Sequence, residues 1–387
     1  MKNKNFARRI SVPAMIMVFA LICAMFVSPL GRSVTVIAAN AENNNQTTLV
    51  ILGDSIAYGT AGILNPASTH LAGARNYAQI IEDTKGWNVI QRARNSGRTR
   101  GQVDRDMIEL LTGDTQRALD TQADVAIADI INISIGGNDL QGINNTNQAG
   151  FQFGGNALQE IVAEALDYIN DEITETPQID YLVEYFTNNV TEIVDAIREL
   201  NPNALIVWFT NYVPPYHATS GMLAVGTNLM FGTTSVQDAY DASVHVVSRI
   251  NQIYDDFVSA NFILSDAFTA FDGNPALFNG GALTAINADI IHPNAVGHAV
   301  LAAILMETID AHFMSLLEQE NSNLQDSNNN LTAERNGLNE TVNQLRAQLD
   351  DNNNEFGTAG VLAVIFGVVA LALAGLSIAM FVKIKRS

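Results

Sequence analysis

The run Leu49 to Gly59, LVILGDSIAYG, is apolar through Leu52, breaks at Gly53 and turns polar at Asp54 and Ser55. A short apolar run bounded by turn-forming residues reads as a strand buried on both faces. The serine that follows has two readings. It can cap the next helix through its hydroxyl, or it can be a nucleophile delivered to the carboxyl end of a sheet, where open α/β folds place their sites.

Outward from this stretch, β-rich apolar runs recur at residues 48–52, 88–91, 128–135, 204–210 and 262–265. Helical patterns fall between and after them, at 74–84, 102–111, 181–200, 236–258 and 295–309. Such alternation predicts an α/β fold of doubly wound type, a five-stranded parallel sheet covered by helices on both faces. Two insertions stand out: 141–155, rich in Asn, Gln and Gly, and 213–234, which contains the apolar GMLAVGTNLMFG.

The ends carry different signals. Lys2, Lys4, Arg8 and Arg9 precede a long apolar run, and Ala39-Asn40-Ala41 offers a small-x-small cleavage site, so residues 1–41 read as a signal peptide. The only cysteine, Cys23, lies inside it, which leaves the exported chain without a disulfide. Residues 357–382 are uncharged and long enough to cross the roughly 30 Å hydrocarbon core. Lys383, Lys385 and Arg386 follow at once and set the tail 383–387 in the cytoplasm. The expectation is a single-pass membrane protein whose N-terminal domain is extracellular.

Of the 20 Lys and Arg, five lie in the signal and three in the tail, while all 40 Asp and Glu lie between, so that part carries a formal −28. Such a surface repels nucleic acid and anionic membrane, which excludes both as general partners.

Residues 42–312 are expected to form the globular domain and 313–356 a stalk. Leucines recur there every seven residues, at Leu317, Leu324, Leu331, Leu338 and Leu345, with Asn321, Asn328, Arg335, Val342 and Leu349 at the alternate seam positions. Leucine at d with asparagine at a is the pattern of a parallel two-stranded coiled coil. The seam predicts a helical stalk, about 50 Å long if fully helical, that pairs with a second copy. A solvated single helix or a partly disordered spacer is the alternative.

Three further constellations bear on Ser55. The second strand leads into RARNSGRTRGQ, where Gly97 can turn the backbone and present its N–H to the sheet edge. The third leads into ISIGGNDL, with Asn138 at the equivalent position. Asp289-Ile-Ile-His292-Pro then places a carboxylate three residues before an imidazole, ahead of the last helix. At that spacing Asp289 can accept the Nδ1–H of His292 and leave Nε2 as a base. Individually Gly97 could be a turn glycine, Asn138 a cap and His292 a helix-start residue. Together they supply a nucleophile, oxyanion donors and a base.

Gly-Asp-Ser at Ser55, the glycine in NSGRT, GGND at Asn138 and DIIHP at Asp289 and His292 resemble the four signature blocks of the SGNH (GDSL-type) hydrolases. The resemblance spans about residues 49–305 and implies a flavodoxin-like three-layer α/β/α fold, without metal or other cofactor. It implies ester hydrolysis through a covalent acyl-enzyme, with Ser55 as nucleophile, His292 as base and Asp289 as its orienting partner. The Ser55 N–H, the Gly97 N–H and the Asn138 side chain would form the oxyanion hole. The second block departs from the usual pattern, since QRARN precedes SGRT and Gly101 is a rival to Gly97.

The substrate expected is an acyl ester of a lipid or other small molecule. A polysaccharide O-acetyl ester is the alternative within hydrolases, and an idle binding module the alternative outside them. Arg92, Arg94, Arg98, Arg100 and Arg105 crowd the second block and read either as an anionic subsite or as partners of nearby acids.

Overall fold

The five expected strands pair side by side: β1 (Thr48–Gly53), β2 (Asn88–Gln91), β3 (Ile130–Ser134), β4 (Leu205–Phe209) and β5 (Phe262–Ser265). All four pairings are parallel, in the order β2-β1-β3-β4-β5. This is the flavodoxin-like order, with the switch point beside β1. The structure is a computed structural model, and it describes residues 46–59, 75–101, 105–142, 157–213, 235–272, 274–278, 292–351 and 367.

Every residue of β3 and β4, and all of β1 after Thr48, is buried, as continuous apolar strands covered on both faces require. The helices are α1 (Ser55–Tyr58), α2 (Tyr77–Lys85), α3 (Met107–Thr112), α4 (Gln116–Ile127), α5 (Gly137–Gly142), α6 (Ala157–Ile169), α7 (Pro177–Leu200), α8 (Val236–Asp255), α9 (Ala267–Phe271) and α10 (Ala295–Asp351). One sheet face, carrying Val50, Leu52, Ile131, Ile133, Ile206 and Trp208, packs on Met107 of α3, Val125 of α4, Ile161 of α6, Phe186 and Ile193 of α7, and Ile250 of α8. On the other face Tyr77 of α2 lies edge-on to Phe209 and stacks on His298 from the start of α10. Tyr77 also donates to the buried Asn132 side chain (2.8 Å), which donates to the Val207 carbonyl (3.0 Å), so the polar group inside the sheet is satisfied.

Caps set the helix limits more sharply than periodicity does. Asn76 forms a capping box with Gln79 and starts α2 at Tyr77. Asp106 accepts the Glu109 N–H and starts α3 there, later than the pattern suggested. Pro177 opens α7 four residues early, because its fixed φ suits the first helical turn.

The chain divides into two compact units between Leu305 and Met306. In the first, Leu301, Ala302 and Leu305 of α10 are buried. In the second, the residues given to the stalk are helical to Asp351, and the five heptad leucines are between 37 % (Leu331) and 57 % (Leu317) exposed. Among the described residues one helix, Ala295–Ala347, is long and apolar enough to cross a membrane by length and composition. The span expected at 357–382 lies, but for Gly367, outside the described residues, as do the signal peptide, Asp289 and most of both insertions.

Candidate active site

The site begins where β1 ends. Gly53 has φ +143°, and a Cβ there would stand 2.1 Å from the Ser134 carbonyl oxygen, so only glycine lets the end of β1 pass β3. The Asp54 N–H then donates to that same oxygen (3.0 Å). Asp54, and not Ser55, is the N-cap of α1: its carboxylate accepts the Ile56 N–H at 2.9 Å. Ser55 is therefore the first helical residue, where its N–H has no intrahelical acceptor and its hydroxyl is released from cap duty.

That hydroxyl meets a residue 237 positions further along the chain. Ser55 Oγ lies 2.7 Å from His292 Nε2, and both residues are buried. The histidine lies three residues before α10, so the end of β1 and the segment leading into α10 jointly make the pair. An imidazole at that distance can take the serine proton and raise its nucleophilicity.

The loop after β2 packs against the same strand end. Arg94 N–H donates to the Gly53 carbonyl (2.9 Å), and a Cβ on Gly97 would lie 2.7 Å from that oxygen. Gly97 is thus the residue that allows close approach. Its N–H donates to the Arg94 carbonyl (3.0 Å) within a turn in which Ser96 takes φ +61°. The Gly101 N–H donates to the Asp106 carboxylate (2.9 Å) and so serves the α3 cap. Asn138, in the first turn of α5, donates one Nδ2 hydrogen to the Gly97 carbonyl (3.0 Å); the amide has a second. Four of the sequence-derived residues, Ser55, Gly97, Asn138 and His292, therefore converge.

Three buried groups around the pair were not singled out from the sequence. Burial raises the Asp54 carboxyl to about 6, against the pull of the Ile56 N–H and of His292. Burial likewise raises Asp139 to about 7, although Thr99 and Arg98 favour its charge. His298 is lowered to about 4, again by burial first and then by His292. Asp139 adjoins Asn138, and Thr99 closes the Ser-Gly-x-Thr of the second block; this adjacency was the signal available for them.

Two of the crowded arginines pair with acids on neighbouring helices: Arg92 with Asp124 of α4 (2.5 Å) and Arg100 with Glu192 of α7.

The GDSL-like Lipase/Acylhydrolase family matches residues 51–300, most of the chain. Among solved structures, a lipase from a goat rumen metagenome is similar at 17 % identity, covering 68 % of this chain and 97 % of that one with a TM-score of 0.42. An extracellular lipase from Streptomyces rimosus gives 20 % identity, 68 % and 99 % coverage and a TM-score of 0.40. Phospholipase A1 from Streptomyces albidoflavus gives 15 %, 68 %, 100 % and 0.43. No curated protein sequence matches the chain. At these values the three structures say nothing of substrate, and the family match over residues 51–300 carries the assignment. With a buried serine and histidine in contact at the carboxyl edge of a parallel sheet, the chain belongs to the GDSL-like lipase/acylhydrolase family and is a carboxylic ester hydrolase of SGNH type.

Proposed function

We propose that the protein is an exported, membrane-anchored serine esterase that cleaves acyl esters of lipids or other small molecules through a covalent acyl-enzyme. The observation that carries this reading is the 2.7 Å contact between Ser55 Oγ and His292 Nε2. As Oγ attacks the ester carbonyl carbon, its proton passes to Nε2; the carbonyl π electrons move onto oxygen and form a tetrahedral oxyanion. Collapse expels the alkoxide, which takes the proton from His292. Water then repeats the sequence on the acyl-enzyme and frees Ser55. The family resemblance gives Asp289 the role of orienting the His292 ring through Nδ1–H, and on this reading Asp289→Asn should lower kcat by on the order of 10⁴.

The oxyanion is met by the Ser55 N–H and the second Asn138 Nδ2 hydrogen, each such donor worth about 3 kcal/mol of barrier. We assign the Gly97 N–H the weaker share, because it already donates to Arg94. The helix that continues to Asp351 supports a stalk, and its exposed leucines support parallel pairing with a second copy. The same stalk favours a second reading, removal of acetyl groups from a fixed, extended polysaccharide.

A fluorophosphonate probe should label wild-type protein at Ser55, and Ser55→Ala should abolish labelling. A folded wild type that stays unlabelled overturns the proposal. Nitrophenyl esters from acetyl to palmitoyl, ranked by kcat/KM, then separate the substrates. Activity confined to acetyl supports the polysaccharide reading and removes the lipid one.

A further inference from the structure

Two parallel ties join the loop after β2 to the start of α5. One is the Asn138 bond to the Gly97 carbonyl (3.0 Å). The other lies beside it, two residues on in the loop and one residue on in the helix. Both carboxylate oxygens of Asp139 accept the Thr99 N–H (3.1 and 3.0 Å), and one also accepts the Thr99 hydroxyl (2.6 Å). The Thr99 hydroxyl in turn accepts from the Asn189 amide of α7 (2.9 Å), so its proton is directed at Asp139. Thr99 is fully buried, and Asn189 and Asp139 are nearly so.

We propose that Asp139 is a positioning residue for ester hydrolysis: by gripping Thr99 it fixes the Asn138 amide and the Gly97 carbonyl relative to Ser55, and so aims the second Asn138 hydrogen at the developing oxyanion. The inference rests on the Ser55 hydrolase reading and extends it to a residue that touches neither substrate nor reacting atoms. The single bond from Asn138 to Gly97 leaves the amide free to pivot about its own Cα. Asp139 removes that freedom, since it is bonded in the chain to Asn138 and clamps a residue two positions beyond Gly97. A buried carboxylate that accepts both the N–H and the O–H of one residue is a rigid anchor. An asparagine in its place offers one acceptor and turns a donor toward donors.

The magnitude follows from the sensitivity of such donors to placement, where an error of about 1 Å costs on the order of 10²-fold. Asp139→Asn in the full-length protein should lower kcat for a short-chain nitrophenyl ester by roughly 10- to 100-fold and leave KM within about twofold, since only the transition state is affected. Thr99→Val should behave alike, and Thr99→Ser, which keeps the hydroxyl, should stay within about threefold of wild type.

The decisive measurement is a double-mutant cycle with Asn138→Ala. If Asp139 acts through Asn138, Asp139→Asn costs less than about threefold in the Asn138→Ala background, because the group it aims is gone. An equal loss in both backgrounds, or an unchanged kcat in folded Asp139→Asn, overturns the proposal. Should Asp139→Asn fail to fold by circular dichroism, Thr99→Val takes its place in the same cycle. Failure of the hydrolase reading looks different: wild-type protein itself is then unlabelled, or Ser55→Ala keeps its turnover.

Discussion

The Asp54 carboxyl is only 2 % exposed, and it accepts the Ile56 N–H, which favours its charge, while burial penalises that charge more. Its affinity for a proton is therefore higher in the fold, at about 6, than at its ordinary 3.8. Between those values the folded state holds the proton more firmly than the unfolded one. Stability contributed by this group is thus present at low pH and lost as pH rises from about 4 to 6, by up to about 3 kcal/mol at about 1.4 kcal/mol per pKa unit. Asp139 acts with the same sign up to about 7. His298 opposes both: lowered from 6.5 to about 4, it withdraws stability as pH falls through that window. Wild type alone would blur these effects, whereas the urea midpoint of Asp54→Asn minus that of wild type should grow between pH values of about 4 and 6 and then level off. A flat difference would contradict the buried neutral carboxyl. The same residue shows how far the sequence could be read. Gly-Asp-Ser at a strand end marks Ser55, but Asp and Ser rank alike as caps, and only the backbone at Asp54 settles which one caps α1. Burial, which makes Asp54, Asp139 and His298 matter, is a property of packing and leaves no mark in a single sequence.

Among the elements, the strands were legible because each is a short apolar run with both faces covered. Two of the longer helices, α4 and α6, were not singled out. The buried residues of α4 are only Ala118, Thr121 and Val125, a stripe too thin to stand out, and α6 follows directly on an Asn- and Gly-rich stretch. The junctions were less legible still, since the need for glycine at a junction depends on what lies across the sheet. Gly53 and Gly86 make the contrast testable, as both have positive φ. Gly86 closes α2, and among the described residues nothing lies within 4 Å of where a Cβ would stand, so Gly86→Ala should cost about 1–2 kcal/mol, the left-handed penalty alone. Gly53→Ala adds collision with backbone at 2.1 Å and with the Ala57 Cβ at 2.9 Å, and should cost more than about 3 kcal/mol and displace Ser55. Urea midpoints and fluorophosphonate labelling of the two variants check this. Equal stabilities would show that β1 and β3 can part at little cost.

For the whole molecule, the five exposed leucines on the helical second unit are a stripe that a lone helix gains nothing by keeping. Sedimentation of the segment 42–356 at micromolar concentration should give a dimer, and Leu331→Lys should give a monomer with unchanged esterase turnover. A monomeric wild-type segment would remove the coiled coil. The globular unit carries its own consequence for the making of the protein. Ser55 and His292 are 237 positions apart. At roughly 5–20 residues per second of synthesis, about ten to fifty seconds separate their emergence from the ribosome. Through that interval Ser55 has no imidazole beside it, because the contact with His292 forms only when that residue and the start of α10 have been made and docked. On the proposed mechanism a growing chain is therefore harmless to the esters around it until the segment leading into α10 meets the end of β1.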